Sequence, residues 1–139
     1  MSQENVEVVR RADDAFLAGV ARGEFGAGFD TGANSEDLEL IAPAEYTERR
    51  SYRGREGLVE FGQTWTENFE RYSVERKELI DGSNGHVLGR YWQSGVGRGS
   101  GVPVEVAFFL VFKLANGQII RIRMYLDRAE ALKAAGLSE

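Results

Sequence analysis

The sequence predicts an α+β fold, with helices first and an antiparallel sheet after them. Three observations carry that expectation. Apolar residues recur at helical spacing up to about residue 72 and at a period of two afterwards. Turn signals punctuate the second half: "GSNG" (82–85), "RGSGVP" (98–103) and "ANG" (115–117). The chain then closes on a strand that runs into "DRAEALKAAGL" (127–137), a short helix with its own start and stop signals.

The elements follow in order. Ser2 can cap a first helix in which Val6, Val9, Phe16 and Val20 share a stripe, with Gly23 as its stop. The Gly-rich segment 24–37 places Phe25 and Phe29 four apart, enough for a short helix or a packed loop. "LELIAP" (38–43) alternates and ends at Pro43, so it reads as a short strand, and 44–56 as a polar loop. From Gly54, Leu58, Phe61, Trp65, Phe69 and Tyr72 lie on one face of a second helix. A four-stranded meander is expected over 73–81, 86–97, 104–114 and 118–126, curling around the helices to enclose a pocket. The last helix opens on Asp127 and Glu130, a capping box, and Gly136 stops it so that Leu137 can fold back.

Composition narrows the function classes. At 139 residues the chain reads as one domain, 1–139, with enough length for one core. A net charge of -5 argues against a nucleic-acid binder, which needs a basic face. With no cysteine and one histidine, disulfides are excluded and a zinc site would need three carboxylates. No apolar run reaches the roughly 20 residues of a membrane span, and the N-terminus does not read as a signal peptide. The expectation is a soluble cytoplasmic protein with no cofactor and no metal.

Four stretches, "ENVEVVRRADDAF", "YRGREGLVEFGQTW", "GRGSGVPVEV" and "LANGQIIRIRMYLDRAEALKAAGL", resemble the SnoaL-like proteins of the nuclear transport factor 2-like superfold. The resemblance implies a cone-shaped curved sheet wrapped around N-terminal helices, a deep apolar pocket, and a homodimer formed through the outer sheet face. Its members include polyketide cyclases, ketosteroid isomerases, epoxide hydrolases and domains without known activity, so fold alone leaves function open.

Asp13 interrupts the apolar stripe of the first helix, where SnoaL-like relatives usually carry a tyrosine. A carboxyl facing an apolar cavity resists ionisation and suits acid–base work; at the stripe's edge it would instead reach water or pair with an arginine. The resemblance to polyketide cyclases places their acid–base aspartate at or near Asp127, a residue that the capping box explains without chemistry. Leu110 stands where a family histidine is often found, and Ala42-Pro43 where the steroid isomerases carry their base. No strand shows the Arg-x-Asp spacing of the epoxide hydrolase relay.

Phe16, Tyr46, Trp65, Phe69, Trp92, Phe108 and Phe112, with Leu110, are candidates to line a cavity for a small apolar cyclic or carbonyl compound, or are simply core. Arg90, Arg121 or Arg123 could steady an enolate if one pointed inward. His86 follows a turn and reads as surface, and "GRGSG" (97–101) as a hairpin turn and not a phosphate loop. Two functions stay open: a cofactor-independent isomerase or cyclase using Asp127 and Asp13, or a non-catalytic dimeric ligand-binding or interaction module of the same fold. Both faces of the strand centre at 104–112 are apolar, and a second copy of the chain is the expected cover for the outer one.

Overall fold

The structure, a computed structural model, describes residues 2–46 and 49–138, without the side chain of Ser2. The cap expected from Ser2 therefore lies outside the described residues. Among the described residues, three α-helices, α1 (Ser2–Val20), α2 (Gly54–Thr66) and α3 (Arg128–Ala134), combine with six strands. The strands are β1 (Asn34–Ile41), β2 (Ser51–Arg53), β3 (Phe69–Asp81), β4 (His86–Gly97), β5 (Pro103–Ala115) and β6 (Gln118–Tyr125). They form one sheet in the order β2-β1-β6-β5-β4-β3, an α+β architecture with two free edges.

The antiparallel meander β3 to β6 is present as expected. The sheet as a whole is mixed, because β1 runs parallel to β6, with Leu40 opposite Ile122. Alternation within one strand identifies a half-buried strand but not its neighbour, so this pairing had no local signature. Strand β1 also begins at Asn34, four residues before the expected start. Strand β2 falls inside the expected polar loop. It is only three residues long, and Tyr52 alone points into the core between exposed Ser51 and Arg53.

The second helix was expected to run through Tyr72, but α2 ends at Thr66 and Phe69 and Tyr72 stand on β3. Tertiary partners decide this boundary. Arg98, in the turn between β4 and β5, donates Nε to the Glu67 carbonyl (2.8 Å) and Nη2 to the Phe69 carbonyl (3.0 Å). Its own amide donates to the Asn68 carbonyl. These carbonyls are thereby satisfied outside a helix. Arg71 (φ 56°) then takes up a register irregularity between Glu70 and Ser73. The Gly-rich segment forms a 3-10 helix at Ala27–Thr31, with Phe25 buried beside Gly62, where a Cβ would meet the ring at 2.3 Å.

One core lies between the inner face of the sheet and α1 and α2, built on Val9, Leu38, Tyr91, Phe112 and Ile119. A second, smaller cluster lies on the outer face. There Leu88, Phe109 and Val111 pack against Ala131, Leu132 and Ala135 of α3. This corrects the premise from which a partner subunit was expected, because α3 of the same chain covers the outer centre of β5.

Helix α3 is held there at both ends. Asp127 Oδ1 accepts from the Glu130 amide at 3.2 Å. Gly136 takes a positive φ, and the Leu137 amide returns to the Leu132 carbonyl at 2.8 Å. Ser83, in the β3–β4 turn, donates its amide to the Ala135 carbonyl.

Leu132→Ala should therefore cost about 2–5 kcal/mol in urea unfolding, the range for a buried leucine truncated to alanine. A loss under about 1 kcal/mol would mean that α3 packs loosely.

Candidate functional site

Strand alternation decides which side chains meet α1. On β4, Val87, Gly89, Tyr91 and Gln93 face inward; on β5, Phe108, Leu110 and Phe112 do. The inward residues of β3 include Tyr72, Val74 and Arg76. Against them α1 presents Ala12, Asp13 and Phe16.

Two adjoining chambers occupy the space between helices and sheet. The larger, designated the outer chamber, is about 60 Å³ and is lined by Phe16, Phe25, Trp65, Tyr72, Phe108 and Met124 among others. The smaller, designated the inner chamber, is about 40 Å³ and is lined by Asp13, Asn34, Phe112, Ile119 and Ile122 among others. Phe16, Leu40, Leu58 and Leu110 line both and form the shared wall.

Asp13 is 4% exposed, and two donors hold it. Arg76 Nη1 donates to Oδ2 at 2.9 Å and Tyr91 Oη donates to the same oxygen at 2.9 Å. Neither bond falls on Oδ1. Arg76 also reaches Asp14 Oδ1 at 2.8 Å with its other terminal nitrogen, so one guanidinium bridges neighbouring carboxylates of α1. Burial pushes the Asp13 carboxyl above its usual 3.8, and Asp14 adds to the rise, while Arg76 and Tyr91 pull against it.

The donors are set in turn. Burial works to lower the Arg76 pKa, but its bonds to Asp13 and Asp14 and their charges raise it overall, so it stays a cation. Tyr91 rises well above 10.0, from burial first and then from the Asp13 charge, so it stays a donor. Gly89 is what lets Tyr91 reach that far: a Cβ there would lie 2.6 Å from the Tyr91 hydroxyl. Tyr91 also stacks on Phe108, its partner across β4 and β5, with centroids 5.0 Å apart.

At the outer chamber, buried Gln93 organises two wall residues. Its Oε1 accepts from Trp65 Nε1 (2.9 Å) and from Tyr72 Oη (2.6 Å). Burial raises Tyr72 to about 12, opposed by Trp65.

The expected site residues separate. Phe16, Trp65, Phe108, Leu110 and Phe112 line the chambers, and Asp13 lines the inner one. Tyr46 packs behind them against Phe61 and Trp65, lining neither chamber. Phe69 lies on β3 against Tyr72, also outside both. Trp92 is 38% exposed and donates to Glu105, because its parity on β4 is outward.

Asp127 is exposed, caps α3 and lines neither chamber, so it does not converge with Asp13. Arg90 pairs with Glu78, and Arg121 and Arg123 are exposed; none of the three lines a chamber. The half-buried His86 places Nδ1 2.7 Å from the Ser83 carbonyl. Among the described residues, no three His, Cys, Asp or Glu side chains gather to hold a metal ion.

Arg76, Tyr91, Gln93 and Asn34 were not singled out from sequence. A signal existed for the first three: Arg76 shares the parity of Val74, and Tyr91 and Gln93 share that of Val87.

Three measurements follow from this geometry. Tyr91→Phe removes a hydrogen bond to a charged group and should cost about 1.5–3 kcal/mol at neutral pH. Asp13 holds its proton more tightly folded than unfolded, so its contribution is complete below 3.8 and is lost as pH rises through the raised value. Asn has no such proton. The stability of wild type relative to Asp13→Asn should thus decline as pH rises from about 4, in melts across a pH series. A relative stability that grows with pH would mean that the Arg76 pair outweighs burial. Asp127→Ala should cost about 0.5–2 kcal/mol, as an N-cap does, and leave ligand response unaltered.

No protein-family model matches the chain, and no curated protein sequence matches it. Solved structures do. A candidate SnoaL-like polyketide cyclase from Jannaschia sp. CCS1 is 22% identical with a TM-score of 0.67, covering 99% of this chain and 95% of that one. A nuclear transport factor 2-like protein from Burkholderia thailandensis E264 is 19% identical with a TM-score of 0.71, covering 94% and 95%. TerC, co-crystallised with polyporic acid, is 17% identical with a TM-score of 0.67, covering 95% and 97%. Near-complete coverage on both sides extends the likeness to the helices and the sheet. The chain has the nuclear transport factor 2-like fold.

Proposed function

We propose that the protein binds a small, neutral, largely apolar ring compound in the two chambers, with Asp13 as the ionisable group that meets it. The observation that carries this reading is a carboxylate, 4% exposed, on the wall of a cavity otherwise lined almost wholly by aromatic and aliphatic side chains. Chambers of about 60 and 40 Å³ together fall short of the roughly 150 Å³ cavity that accepts benzene, so one small ring is the most that they admit. TerC, of the same fold, was co-crystallised with polyporic acid, which supports a small organic molecule as the ligand.

The acid–base chemistry open to this site is proton exchange at Asp13 alone. Tyr91 and Arg76 hold Oδ2, which leaves Oδ1 as the oxygen that would give or take a proton. Asp127, exposed on the cap of α3, has no part in this mechanism. A non-catalytic binding module is the second reading. It is favoured by the same two bonds, which fix Asp13 as one half of a structural ion pair.

Thermal-shift titration separates the classes of ligand. Small ring compounds should raise the melting temperature and nucleotides should not; stabilisation by nucleotides alone would end this reading. Leu110→Trp, which fills the shared wall, should weaken ring binding by about tenfold or more while the fold persists.

A further inference from the structure

A six-membered ring needs more room than the two chambers hold at rest. At about 60 and 40 Å³ they fall short, even together, of the roughly 150 Å³ cavity that accepts benzene. Close-packed walls do not stretch, so a bound ring requires one wall residue to leave its place.

Phe25 is the residue built to do so. Every other residue that lines either chamber stands on an α-helix or a strand, and Phe25 alone stands in a turn, between α1 and the 3-10 helix. Its neighbours are anchored. The Glu24 amide donates to the Gly19 carbonyl at 2.8 Å, and the Phe29 amide to the Gly26 carbonyl at 3.0 Å. Among the described residues, no hydrogen bond is made by the Phe25 amide or carbonyl.

The other large walls have partners. Trp65 and Tyr72 are bonded to Gln93, Phe61 stacks on Trp65 at 5.7 Å, and Phe108 stacks on Tyr91. Phe25 is seated by fit alone. Its ring lies over Gly62 of α2, where a Cβ would be 2.3 Å from Cγ and 2.5 Å from Cδ1. Gly62 is thus the seat, and no larger residue leaves that notch open.

Resting on the ring-compound reading above, we propose that Phe25 is the gate of the ring site and sets the size of ligand that it takes. The Phe25 ring leaves the notch over Gly62 and turns out beside exposed Glu24. The ligand then occupies the vacated space together with the outer chamber. Seated Phe25 and bound ring exclude each other, so the apparent affinity is reduced by the fraction of molecules in which the gate stands open.

The experiment is a titration of the isotope-labelled protein with benzene, read by the indole signals of the two tryptophans. Trp65 lines the outer chamber and Trp92 lies on the outer face, so a pocket ligand moves the first and not the second. In wild type, the nuclear Overhauser contact between the Phe25 ring and Gly62 should be present without benzene and lost at saturation. A contact that persists with Trp65 saturated would overturn the gate and leave the ring pocket standing. Phe25→Ala removes the obstacle and should bind benzene about fivefold tighter or more. A wall that merely touches the ligand would bind it more weakly once truncated, and that result would overturn the gate too. Binding by Phe25→Ala alone, with none by wild type, would show a wall that stays shut and overturn it equally. The wild-type contact is decisive even if Phe25→Ala fails to fold. If benzene moves Trp65 in neither protein, the ring pocket and the gate fail together.

Discussion

The buried contact of Asp13 with Arg76 and Tyr91 ties α1 to β3 and β4, and the inner half of the cavity is built around it. A carboxylate in that position is costly, and it persists because two donors converge on one oxygen. Each donor has a condition of its own. Tyr91 reaches Asp13 across the space that Gly89 leaves, and Arg76 is steadied by a second carboxylate, Asp14, on the next residue of the helix. Removing either donor leaves the carboxyl buried with less support than its desolvation demands. An apolar replacement of all three at once would face no such penalty. That asymmetry makes the cluster a constraint on the fold and, equally, a polar spot on an apolar wall.

The cavity exists because helix and sheet cannot close on each other along their whole length. Around the outer chamber, large side chains hold the walls apart and are themselves fixed. Gln93 pins Trp65 and Tyr72 through one oxygen, Phe108 is stacked on Tyr91, and Phe25 fills the notch over Gly62. Fixed aromatic walls favour a preformed space over a collapsed one. The opposite face of the sheet is covered by a helix at its centre. Helix α3, with its cap at Asp127 and its reversal at Gly136, lies flat on Leu88, Phe109 and Val111. The two faces of β5 thus serve different ends, cavity wall within and helix platform without.

Much of the architecture was legible because local periodicity and local hydrogen bonding are the same in the chain as in the fold. The meander β3 to β6, the start of α3 at Asp127 and the return of Leu137 all follow from neighbours within a few residues. The boundary of α2 was not legible. Phe69 and Tyr72 continue the helical spacing of Trp65 as well as they begin a strand, and the choice falls to Arg98, some 30 residues away, which takes the carbonyls at the junction. The parallel pairing of β1 with β6 likewise depends on a partner about 80 residues further on. Among the aromatics, residue type did not distinguish Phe108 on the wall from Trp92 on the surface; strand parity did.

Sequence by itself determined the α+β class, the antiparallel meander, the capped terminal helix and the anomaly of a carboxylate in the stripe of α1. Tertiary structure decided what that carboxylate pairs with. Its partners lie 63 and 78 residues away along the chain, and only the folded sheet brings them to one oxygen. It also parted Asp127 from Asp13, since the first sits on the cap of a helix laid over the outer face while the second faces inward. The physical reason is common to both: burial and charge pairing are properties of the space between elements, and periodicity reports only the face a residue takes, not what waits opposite it.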